Sequence, residues 1–182
     1  MKSLQIAQPA YTDIDLPSKH QLKQLSLRAM LAFGSRCVRR VQSMYASRHP
    51  GCEEAIENAL RSVEAFARGE RPQVNGAELR FMAKYAQHQG ARYVAQAVTY
   101  LAHASLHADR NRDAEDAKTA VYKTWMAVAS AYNAEPDLSF VFAARDDFDY
   151  LSVVSEAAYP EQGPSLDPGE QGLLGPFWVG AA

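Results

Sequence analysis

His103 and His107 stand four positions apart, which puts two imidazoles on one face of a helix where they can share a metal ion. A catalytic zinc site also needs a third protein ligand and a nearby general base. No HExxH pattern is present. Ala104, Ser105 and Leu106 fill the interval, and only Asp109, Asp113 and Glu115 are placed to approach across a turn. The pair therefore reads as hydrogen-bonding structural histidines, with a metal as the weaker alternative, and neither metal nor cofactor is expected. A second constellation is Asp146, Asp147 and Asp149 beside Arg145. Asp146 and Asp149 are three apart and share a helix face, as a carboxylate pair for acid–base work must. Nothing near them in sequence signals the burial that would split their pKa values, so a solvated acidic face is expected. Such a face attracts a basic protein partner and speeds its association. Tyr11, Tyr159, Phe177 and Trp178 lie in irregular segments, where aromatics serve either as anchors or as interface hot spots. Asp146, Asp147, Asp149, Tyr159, Phe177 and Trp178 are thus the candidate partner-binding residues. There is no phosphate-binding glycine loop and no nucleophile elbow, so no catalytic residue is assigned and a non-enzymatic protein is expected.

The elements that must position these residues are helices. Residues 1–17 form an irregular lead punctuated by Pro9 and Pro17. Ser18 can cap a first helix running to about Ser47, with an apolar stripe from Leu22 through Phe33, Cys37 and Val41. Arg28, Arg36, Arg39 and Arg40 fall largely outside that stripe and read as its solvated face. Gly34 permits close approach of another helix. Pro50 ends the first helix, and a second spans about Cys52 to Arg68, with Glu53, Glu54 and Glu57 at the positive end of its dipole and Gly69 to cap it. Asn75 with Glu78 makes a capping box for a third helix reaching about Gln89. Gly90 is expected to separate this from a fourth over 91–108. Asp113 caps a fifth helix to about Asn133 and Asp137 a sixth to about Ala157, with Val141, Ala144, Phe148, Leu151 and Val154 as its stripe. Pro and Gly then recur through 158–182, yet Leu173, Leu174, Phe177 and Trp178 are too apolar for a freely solvated tail. The expectation is an all-α chain with one bundle-like or orthogonal domain of five to six helices over 18–157. The tail packs either on that domain or on a partner.

Composition narrows the class without naming a task. A chain of 182 residues with 47% hydrophobic and 22% charged residues is ordinary for one soluble domain. No apolar run approaches the roughly 18 residues of a membrane span. The N-terminus lacks the apolar core of a secretory signal, so a cytoplasmic location is expected. Two cysteines, Cys37 and Cys52, build neither a disulfide framework nor a zinc site. Cys37 reads as a small core residue. Charge is uneven: residues 1–50 carry +6 and residues 134–182 carry −8. An acidic C-terminal part that can lie against the basic first helix disfavours nucleic-acid binding as the task.

Cys37, Arg40-Val41, Tyr45, His49-Pro50, Ala55-Ile56-Glu57 and the run Phe66-Ala67-Arg68-Gly69-Glu70 together resemble the Imm5-like family of bacterial immunity proteins. The small-residue segment AQAVTYLAHASLHA is similar to that family's Ala- and His-rich central helices. The resemblance covers about residues 22–132 and leaves the C-terminal part unmatched; Phe66 stands where the family often has tryptophan. It implies an α-helical protein that binds and neutralises a toxin domain by occlusion. Two other classes stand beside it: a helical scaffold whose tail docks on a neighbouring copy, and a metal-dependent enzyme built on His103 and His107.

Overall fold

The computed structural model describes residues 16–178, and these form seven α-helices and no strand. One more helix is present than the six laid out from the sequence, because the expected first helix is broken. Ser18 does open a helix, α1 (Lys19–Leu22), through a reciprocal capping box with Gln21. The chain then turns, and Ser26 caps α2 (Leu27–Val41) by accepting from the Ala29 amide. The break is held from far away in sequence. Leu27 N–H donates to the Glu161 carbonyl and Arg28 N–H to that of Gln162, while Ser26 N–H donates to Ser155 Oγ. In a continuous helix those amides would have bonded back up their own chain, so the tail replaces one set of acceptors with another.

A short 3-10 turn, Gln42–Met44, ends this element. Next comes α3 (Cys52–Ala67), entered through Gly51 at φ +84° and closed by Gly69 at φ +91°. Glu70 N–H bonds the Ala65 carbonyl and Gly69 N–H that of Phe66, the paired bonds of a Schellman ending, which needs the left-handed glycine. Helix α4 (Gly76–Lys84) starts at Asn75, whose side chain accepts from Ala77 and Glu78. It stops five residues before the expected end. Helix α5 (Gln89–Arg110) then contains Gly90 instead of being preceded by it, because His88 Nδ1 accepts from the Ala91 amide and sets the start earlier. Asp113 caps α6 (Ala114–Ala134) and Asp137 caps α7 (Leu138–Val154).

Helices α5 and α6, joined by a short loop, form the most extensive pair, and α2 packs on both. Gly34 marks that crossing: a Cβ there would lie 2.6 Å from Leu101 Cδ1 on α5 and 3.1 Å from Thr124 Cγ2 on α6. Helices α3 and α7 also pack on α2, which is consequently almost wholly buried. After Val154 the described chain has no regular element, yet Leu166 joins the common core at 8% exposure. Its amide donates to the Ala67 carbonyl at the end of α3. Of the irregular lead, residues 1–15, including Pro9 and Tyr11, lie outside the described residues, as do residues 179–182 of the tail.

Candidate functional site

Arg36 and Arg40, one turn apart on α2, do not form a solvated face. Their exposures are 0% and 4%, and Asp147, at 5%, lies between them. This corrects both the basic-face and the acidic-face expectations for these three residues. Asp147 Oδ2 accepts from Arg36 Nε at 2.8 Å and also from Arg40 Nη2. The remaining Arg36 donors go to backbone carbonyls of the tail: Nη1 to Pro168 (3.1 Å) and Gly175 (2.9 Å), Nη2 to Leu174 (3.3 Å) and Pro176 (2.8 Å). All five guanidinium N–H groups are thereby matched. Arg40 Nε donates to the Phe177 carbonyl and Nη2 also to that of Ala143, while Nη1 has no acceptor among the described residues. Phe177 and Trp178 are partly buried and cover the two guanidinium planes, at 5.0 and 6.0 Å. A buried charge persists only when paired and hydrogen-bonded, and here the irregular tail supplies most of the acceptors.

The tail is held at its near end too. Arg28 donates to the carbonyl of Gly163 and to the Gln162 side chain. Tyr159 N–H donates to the Leu25 carbonyl, and Lys23 sits 5.3 Å over its ring. Tyr159, Phe177 and Trp178 are thus brought against α1, α2 and the turn between them, on their own chain.

Arg39 faces the other way, toward α3. It donates to Glu64 from Nε and Nη2, to Glu57 from both terminal nitrogens and to the Gln42 side chain. Burial works to raise the Glu57 pKa, but bonds from Arg39, Gln42 and Arg61 outweigh it and hold the carboxyl down at about 2. A surface cavity of about 480 Å³ opens beside Arg39, lined also by Gln42, Tyr45 and Glu53. Cys37 lies fully buried, where desolvation, only partly offset by Arg40, pushes its thiol up to about 12. It is an inert core residue at neutral pH.

His103 and His107 share a face of α5 as their spacing requires, but they are used separately. His107 Nδ1 lies 2.9 Å from Asp116 Oδ1 on α6, and that bond holds the Asp116 carboxyl below its ordinary range. His103 is shifted down by desolvation, with Lys123 and His107 adding repulsion. Among the described residues, no group of three or more His, Cys, Asp or Glu side chains is arranged to hold a metal ion.

Asp146 and Asp149 remain exposed on α7, Asp149 within 3.8 Å of Arg145. Their neighbours were missed in the sequence. Leu138 (57% exposed), Phe142 (67%), Tyr150 (43%) and Val153 (81%) project from the same helix. At 100° per residue these six positions fall within an arc of about 120° opposite the buried stripe. The available signal was that stripe itself, since Val141, Ala144, Phe148 and Leu151 already account for the inward face. Among the described residues no helix is long and apolar enough to cross a membrane. Comparison with protein-family models, with curated proteins and with solved structures found no match.

Proposed function

We propose that the chain is a non-catalytic protein-binding module of the immunity type, which neutralises a basic toxin domain by covering it, and that it docks through the outward arc of α7. The observation that carries this reading is Phe142. In the second turn of α7 the described residues leave this phenylalanine 67% exposed. Val153 and Leu138 extend the apolar surface along the arc, and Tyr150 adds a second aromatic. Large apolar side chains ringed by charge have the makeup of an interface core with its polar rim. Asp146 and Asp149 supply that rim, and the −8 charge of residues 134–182 sets the sign of the partner. The resemblance to immunity proteins supports the kind of task; the tail lies outside that resemblance, and Asp147 ties α7 to Arg36 and Arg40 of α2.

The test uses the purified full chain, immobilised, against a lysate of its native host. The wild type is expected to retain a basic protein, with retention falling as salt rises. Phe142→Ala with Val153→Ala is expected to weaken that binding at least 100-fold while leaving the helical circular dichroism unchanged. Equal retention by both chains, or a retained partner that is acidic, overturns the reading.

A further inference from the structure

A second surface lies away from α7, along the groove between α3 and α4, and it is independent of the function proposed above. Two cavities of about 390 and 470 Å³ run end to end there and share Asn58 and Glu78 in their walls. The first is walled by Glu54 and Phe81; the second by Ser62, Arg68 and Arg71. We propose that this groove binds a short extended peptide carrying a basic residue at one end and an acidic residue about six positions away.

Ser62 points to a ligand. It is 7% exposed, it lines the groove, and its hydroxyl has no hydrogen-bond partner among the described residues. A serine within a helix commonly bonds the carbonyl four residues back. Here that bond is not made, so a residue of the groove wall keeps a buried donor and acceptor unsatisfied. The oxygen is shielded from solvent as it stands, and a turn about χ1 offers it to a peptide amide or carbonyl laid along the groove.

Charge sets the order of the peptide's ends. Glu54 at the α3 N-terminal end, and Glu78 where the cavities join, make no ion pair among the described residues, and Phe81, with the His49 and Tyr85 rings 4.6 and 5.0 Å from it, supplies an aromatic wall beside them. Carboxylates next to a ring edge suit a lysine or arginine side chain. At the other end Arg68 and Arg71 are held only by surface pairs, 3.2 Å to Glu70 and 3.6 Å to Asp109, and Arg71 is 87% exposed. Either guanidinium can turn to a carboxylate on the ligand. Fourteen residues of α3 separate Glu54 from Arg68, about 21 Å at the helical rise. An extended chain covers that in about six residues.

The experiment selects a random heptapeptide library on the full chain and, in parallel, on Asn58→Trp. Asn58 is exposed where the cavities join, so the indole blocks the groove without entering the core. Wild type is expected to enrich peptides with Lys or Arg and Asp or Glu four to six positions apart, and Asn58→Trp is expected to enrich none of them. Against the best such peptide, made synthetically, Glu78→Lys and Arg68→Glu should each weaken binding at least tenfold. Ser62→Val should weaken it several-fold, and changes at Phe142 should leave it unaltered. No enrichment over Asn58→Trp, or enriched peptides lacking either charge, overturns the proposal. Loss of binding on changing Phe142 assigns the peptide to α7 and overturns it as well.

Discussion

Three arginines on one stretch of α2 are neutralised in two ways. Toward α7, Arg36 and Arg40 are wholly desolvated around one carboxylate, and tail carbonyls meet most of their other donors. Toward α3, Arg39 keeps some contact with water and meets two carboxylates, Glu57 and Glu64. The first arrangement has fewer opposite charges and far more dipoles. It works because the tail, having no helix or strand ladder of its own, has carbonyls to spare. It follows that the tail is ordered by the arginines and the arginines are tolerated because of the tail. The α3 side has no such dependence: if its pairs part, the charges can hydrate.

The largest effect should therefore come from Asp147. Its replacement by Ala leaves two buried guanidiniums without a counter-charge, a loss of about 3–5 kcal/mol. Urea unfolding at neutral pH measures it, and a loss under about 1 kcal/mol would break the contrast with Arg39. Cys37 supplies an independent readout. Its buried thiol should resist a thiol reagent in the wild type and react much faster in Asp147→Ala, because labelling must await opening of this part of the core.

A smaller effect should follow from Gly172→Ala. A Cβ at that position falls onto the backbone carbonyl of Asp167, so the turn that presents the Pro168 carbonyl to Arg36 must shift. Overpacking of this kind costs about 1–3 kcal/mol. No measurable loss in thermal or urea unfolding would mean that Arg36 accepts other oxygens as readily and that the tail's conformation is not specified by it.

The two sides also differ in how far the sequence announced them. Helix starts at Ser18, Asn75, Asp113 and Asp137 were legible because a short polar side chain before an apolar stripe acts locally. The start at Ser26 was not, since it depends on Ser155, Glu161 and Gln162 more than 120 residues away. Gly90 misled for a related reason: His88 capped the helix ahead of it, and histidine is not a usual cap. The burial of Arg36 and Arg40 left no trace in sequence, because apart from Asp147 their acceptors are main-chain oxygens, which every residue carries. Arg39 had carboxylates one helix away, but which of three neighbouring arginines would meet them was a matter of helix rotation. On α7 the three acidic residues were read as equals, and Asp147 alone turns inward.

The smallest effects belong to the α3 side, and pH separates them. Arg39→Ala should cost about 1–2 kcal/mol, between an exposed pair and a buried one. Glu57 is held at about 2 in the folded chain against an ordinary carboxylate value near 4.5. A folded-state pKa below the unfolded one contributes stability that is fully present above pH 4.5 and is lost as pH falls toward 2. In Glu57→Gln that contribution is absent at every pH. The stability difference between wild type and Glu57→Gln should thus be constant from pH 7 to about 5 and shrink steadily below it. Arg39→Ala should show the same convergence, because the arginine's bonds to Glu57 are what hold the carboxyl down against burial. A difference that stays flat down to pH 2.5 would mean Glu57 titrates normally, and the two sides of α2 would then differ in burial alone and not in how their charges are bound.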